Sequence, residues 1–146
     1  MKQILPDGRV QFSSPTCTFV FEWLTPAAIL IVINGTDTGQ FGPLILDEIR
    51  AEISRKGSIE LFVDARGAVS ASLHVSQEWR LFFTQHQRSL KHVHILVGSK
   101  FIELVVSIAQ HLSRTGDLIQ VYDSATTFDN LVARIKQNCW SHEEQK

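Results

Sequence analysis

Apolar and polar positions alternate in short blocks, and the period of the alternation changes along the chain. Residues 1–16 carry no sustained pattern. Pro6-Asp7-Gly8 marks a turn there, and Val10-Gln11-Phe12 is a short strand candidate. Cys17-Thr18-Phe19-Val20-Phe21-Glu22-Trp23 is rich in β-branched and aromatic residues and predicts a strand. Thr25-Pro26 breaks it. Ala27 to Ile33 follows as an unbroken apolar run ending at Asn34-Gly35, the pattern of a strand buried on both faces.

The period then lengthens. Phe41, Ile45, Ile49 and Ile53 recur every four residues, with Leu44 beside them, and predict a helix. Pro43 suits its first turn, Glu52 and Lys56 form a favourable pair on its flank, and Gly57 supplies the stop. Ser58 to Val63 is a strand closing on Asp64, and residues 65–74 read as a connection. A second helix carries Val75, Trp79, Phe82 and Phe83 on one side. Val93 to Val97 is another strand. Ser99 is placed to cap a third helix with Ile102, Val105, Val106, Ala109 and Leu112 inward, ended by Gly116. Leu118 to Tyr122 is the last strand. Asp123 or Ser124 caps a final helix with Phe128, Leu131, Val132 and Ile135 inward, and the polar tail from Cys139 to Lys146 is expected to fray.

Strands alternating with helices demand parallel pairing and right-handed crossovers. The leading strands, joined by a short break, are expected to be antiparallel. The fold class is therefore α/β: a mixed β-sheet with antiparallel leading strands, a parallel remainder and four α-helices.

Length narrows this to one domain, residues 1–146, with a core over 17–136, a flexible N-terminal arm and a flexible C-terminal tail. Lys and Arg total 14 against 15 for Asp and Glu, so no basic excess supports nucleic-acid binding or an anionic-membrane anchor. Cys17 and Cys139 stand far apart and read as reduced, unpaired thiols of a cytoplasmic protein. The N-terminus lacks a signal-peptide core. The run from Ala27 to Ile33 is far short of a membrane span, so no stable membrane insertion is expected.

Three stretches resemble the STAS domain family, in its SpoIIAA-like, anti-sigma-factor-antagonist-like branch. Leu61-Phe62-Val63-Asp64 with Arg66-Gly67 resembles the family's strand before its functional loop. Val93 to Lys100 resembles the next strand and helix start. Ile119 to Asp123, with Phe128 five residues on, resembles the last strand and helix. The resemblance covers residues 17–136. It implies a bacterial signalling domain that works by protein–protein interaction, with a regulatory kinase or an anti-sigma-like factor as partner. It also implies a phosphorylatable Ser or Thr at the start of the second helix. Ser70 and Ser72 occupy that region, but Ala71 and Leu73 stand where acidic and glycine neighbours belong in the family's motif. A phosphate there would add roughly −1.5 to −2 charge beside a helix start. The plainer role for Ser72 or Ser76 is a helix cap.

The expected partner surface is the loop after Asp64 together with the second helix: Asp64, Arg66, His74, Trp79 and Arg80. Arg80, His86, Arg88, Lys91 and His92 also make the end of that helix the most basic region, suited to an acidic partner. His92 and His94 share a strand face, but a metal needs a third ligand, for which His74, His86 and His111 are only candidates, and edge or surface histidines are the plainer reading. Asp64 and Asp123 end strands where α/β folds place ligand contacts, although capping and turn formation are the plainer explanation. Gly98-Ser99-Lys100 is a fragment of a phosphate loop whose upstream glycine is replaced by Val93. No nucleophile–base pair has diagnostic spacing, so neither catalysis nor a cofactor is expected. The alternative to an interaction domain is a carrier or sensor of a small apolar ligand. That reading rests on the similar architecture of a lipid-binding fold and on Trp79, a possible lining of an apolar pocket.

Overall fold

The structure, a computed structural model, describes residues 1–98 and 118–144. Seven strands form one sheet in sequence order: β1 (Lys2–Ile4), β2 (Val10–Ser13), β3 (Cys17–Thr25), β4 (Ala28–Asp37), β5 (Ile59–Ala71), β6 (Leu90–Val97) and β7 (Ile119–Tyr122). The first three pairings are antiparallel and the last three parallel. Three helices are described: α1 (Leu44–Lys56), α2 (Leu73–His86) and α3 (Ala125–Glu144). The mixed α/β sheet is as expected. The third of the four expected helices, following Ser99, lies outside the described residues. No described helix is long and apolar enough to cross a membrane.

The helices cover opposite faces of the sheet. On one face α1 and α2 bury Ile45, Ile49, Phe82 and Phe83 against Phe19, Phe21, Ile31, Leu61 and Val93. On the other, α3 crosses the sheet and packs Phe128, Leu131 and Ile135 around Leu24, Phe62 and Leu96. Helix boundaries follow the local chemistry. Pro43 is the N-cap residue of α1, and Gly57 ends that helix in a left-handed conformation, its amide donating to the Ile53 carbonyl. Ser124 accepts from the Thr127 amide at 3.2 Å and so caps α3, which resolves the choice between Asp123 and Ser124. Glu52 does not pair with Lys56. It is buried, accepts from Trp23 Nε1 at 3.2 Å and pairs with Arg55 at 2.9 Å.

Three expectations need correction. Residues 1–16 are not an irregular arm: β1 and β2 extend the sheet, with Phe12 buried against Phe21 at a ring distance of 5.7 Å. β4 does not end at Asn34-Gly35 but continues to Asp37. Gly35 is required there because a Cβ would collide with the Thr16 carbonyl oxygen of the neighbouring chain segment. Finally, residues 65–71 are strand, not connection, so Asp64 sits mid-strand. The lengthened β4 supplies the hydrogen-bonding edge for them, pairing Asn34 with Gly67 and Asp37 with Ala71. Register shifts between Val32 and Asn34, and again between Gly35 and Thr36, break the two-residue alternation in β5. A broken period is why the segment does not read as a strand in sequence.

Candidate functional site at the β5–α2 junction

Because β5 is a strand, its side chains divide between the two faces of the sheet, and so do the expected partner-contact residues. Asp64 and Arg66 face α3. Arg66 Nε contacts Asp64 Oδ1 at 3.0 Å, and its guanidinium also pairs with Asp129 of α3. The hydrogen bonds that Arg66 donates to Asp129 first and Asp64 second hold its pKa above the ordinary value. His74, Trp79 and Arg80 belong to α2 on the opposite face. The expected single surface is thus two surfaces. His86, Arg88, Lys91 and His92 cluster at the far end of α2, away from the junction.

At the junction Ser72 is the N-cap of α2, accepting from the Val75 amide at 3.2 Å. Ser76 donates its hydroxyl to the Ser72 carbonyl at 3.1 Å. Ser70 is half-buried on the inner side of β5, 3.4 Å from Thr36 Oγ1. His74 pairs with Glu78 at 3.2 Å one helical turn on. Two large apolar side chains flank the cap in solvent: Val69 is 63% exposed and Leu73 74% exposed.

Beneath α2 lies a cavity of about 90 Å³. The second half of β5 presents small side chains to it, Ala65, Ala68, Ser70 and Ala71, beside larger sheet residues such as Phe19 and Ile95, while α2 presents Val75, Trp79 and Phe83. Where the small residues of β5 face α2, the space is left unfilled. Asp37, at the end of β4, lines this cavity and also an adjoining hollow of about 280 Å³ bordered by Phe41, Pro43, His74 and Glu78. Asp37 is only 8% exposed. Its Oδ1 accepts from the Gly39 amide at 2.9 Å. Burial raises its pKa, the Gly39 hydrogen bond partly opposing that. Burial, then the Asp37 charge, likewise raises the Cys17 thiol to about 11, so it is a poor nucleophile at neutral pH.

The α3 face carries a second polar group. His94 Nε2 lies 3.0 Å from Glu60 Oε2, and Nδ1 lies 2.9 Å from the Tyr122 hydroxyl. An ionised carboxylate only accepts, so Nε2 carries a hydrogen, and in a neutral ring Nδ1 then accepts from Tyr122. Phe62 stacks on the imidazole at 4.6 Å. Burial, then the Glu60 charge, raises the Tyr122 pKa. With both nitrogens engaged, His94 is not free to join His92 in holding a metal.

Ser70, Ser72 and His74 lie at the β5–α2 junction and Trp79 farther along α2, whereas sequence reasoning missed Asp37, Glu60 and Tyr122. Asp37 falls beyond the expected end of β4. The Glu60–His94–Tyr122 chain needs the register of three strands, which no local spacing reveals.

No family model matches the sequence, and no curated protein matches it significantly. The structure is similar to the crystal structure of an uncharacterized protein from the DUF3478 family, with a SpoIIAA-like fold, from Shewanella loihica PV-4. Identity is 13% and the TM-score 0.58, with 83% of this chain and 98% of that chain covered. At that identity the likeness concerns architecture alone, and it agrees with the mixed sheet and face-covering helices: the chain has a SpoIIAA-like fold.

Proposed function

We propose that the protein is a non-catalytic, STAS-like regulatory domain that works in the cytoplasm by protein–protein interaction, its docking surface centred on the β5–α2 junction. The observation that carries this reading is the pair Val69 and Leu73, held in solvent on either side of the Ser72 cap. Exposed large apolar side chains beside a polar, chargeable position suit a partner contact that a modification can break. The partner class is a regulatory kinase or an anti-sigma-like factor. Of the two serines, Ser72 is the better switch. A phosphate at a helix N-terminus meets unpaired amides and the positive end of the helix dipole, whereas at Ser70 it would enter a small cavity beside a buried carboxylate.

The test incubates the protein with a cognate kinase and ATP and measures partner binding by calorimetry. Leu73→Asp and Val69→Asp are expected to abolish binding while leaving the fold intact. Ser72→Asp keeps the cap, because Asp caps as well as Ser, and is expected to weaken binding through its charge. Unchanged binding in Ser72→Asp, with no phosphate on Ser70 or Ser72, discards the switch. Unchanged binding in both apolar variants discards the surface.

A further inference from the structure

The cavity under α2 has a polar end and an apolar end. At the ends of β4 and β5, where α2 begins, stand Asp37, Ser70 and Ser76. Deeper, the lining is Val63, Ala65, Ile95, Trp79 and Phe83. Asp37 uses one carboxylate oxygen on the Gly39 amide, and its Oδ2 has no hydrogen-bond partner among the described residues. No fully buried side-chain oxygen among those residues lacks a partner, so Oδ2 opens onto accessible space and not onto packed atoms. Ser70 and Ser76 each donate their own hydroxyl hydrogen to a protein acceptor, which leaves lone pairs available.

We propose that this cavity binds a small amphiphile with a short apolar body and a protonated amine head, the ammonium pairing with the Asp37 carboxylate and donating to Ser70 or Ser76. Size sets the body. A dry cavity of about 150 Å³ holds benzene, and one water occupies about 30 Å³ of liquid. A volume of about 90 Å³ therefore fits a short branched alkyl group and not a lipid tail. Charge sets the head. Asp37 is the charged residue on the cavity wall, and the adjoining hollow adds Glu78, with His74 already paired to it. A carboxylate ligand would meet two carboxylates, whereas an ammonium would supply the counter-charge that a buried Asp lacks. Burial raises the Asp37 pKa, in keeping with a carboxylate that lacks a full partner in the free protein.

This inference goes beyond the docking surface and stands without it. Amine binding with no partner binding, or the reverse, separates the two readings.

The probe is isopentylamine, with isopentyl alcohol as the neutral analogue and isocaproate as the acidic one. Each is titrated at pH 7 into the isotopically labelled full chain while nitrogen–proton NMR correlations are followed. The amine is expected to shift the Trp79 indole signal and the amides of Ala68, Ser70 and Val75, leaving the Trp23 indole in place. It should bind about tenfold more tightly than the alcohol, the equivalent of one modest charge pairing, and isocaproate should not bind. Asp37→Asn retains an acceptor for Gly39 and should reduce amine affinity to that of the alcohol. Ala68→Leu should fill the cavity and abolish binding of both. The proposal is overturned by the absence of any Trp79 shift, by equal affinity for amine and isocaproate, or by unchanged amine binding in a folded Asp37→Asn variant. Should that variant not fold, the comparison of the three probes on the wild-type chain decides alone.

Discussion

On the α3 side of the sheet, polar and aromatic groups close on one another. Phe62 is stacked on His94, His94 is bound at both nitrogens, Tyr122 packs at 5.8 Å from Phe128, and Arg66 ties Asp64 to Asp129. On the α2 side, near the ends of β4 and β5, small side chains leave a cavity, and one oxygen of Asp37 has no partner among the described residues. A buried polar network that is fully paired fixes a unique packing. A buried carboxylate that is not fully paired costs stability. The contrast teaches where each face spends its chemistry: the α3 face holds the sheet in register, and the α2 face keeps room and charge available for something else.

The contrast can be broken by substitution, and the largest effect belongs to the closed face. Phe62→Ala removes a fully buried ring wedged between His94 and Phe128. It should cost about 3–5 kcal/mol in urea unfolding; a loss near that of a surface change would mean the face is not tightly packed. Tyr122→Phe leaves His94 Nδ1 without its hydrogen-bond partner and should cost about 1–3 kcal/mol. A neutral result would show that the Glu60–His94–Tyr122 chain adds no specificity to the packing.

The open face should respond with the opposite sign. Ala68→Leu fills vacant space and is expected to raise stability by about 0.5–2 kcal/mol, read as a higher melting temperature. A loss would instead indicate overpacking and equate the two faces. The finest distinction is a slope against pH. Because burial raises the pKa of Asp37, the folded chain holds that proton more tightly than the unfolded one. Stability should fall as pH rises from the ordinary carboxylate range through the raised value, and then level. Asp37→Asn removes this fall, so the variant should gain on wild type toward neutral pH and lose its advantage in acid. Parallel stability curves across pH would show that the Asp37 carboxylate is already satisfied in the folded protein.

Much of the architecture is legible in the residues. The four-residue recurrence of Phe41, Ile45, Ile49 and Ile53 marks α1 because a helix repeats nearly at that spacing. The Ser72 cap is legible for a similar reason, since capping depends on a few adjacent atoms. β5 beyond Asp64 is not legible. Its bulges cancel the alternation, and its Gly, Ala and Ser residues imitate a loop in composition. β1 is missed because a short, exposed edge strand carries little apolar signal, whereas β2 shows itself in Val10 and Phe12.

The sequence by itself determined the strand-and-helix alternation and the antiparallel start and parallel remainder. These follow from local periodicity and from the geometry of short and long connections. Tertiary structure alone decided which face each residue serves. Asp64 and Arg66 went to one side and Trp79 to the other, Glu60 met His94 and Tyr122 across three strands, and Asp37 came to stand over a cavity. Strand register and bulge position are settled by the total packing of the sheet against its helices, and no residue's immediate neighbours carry that information.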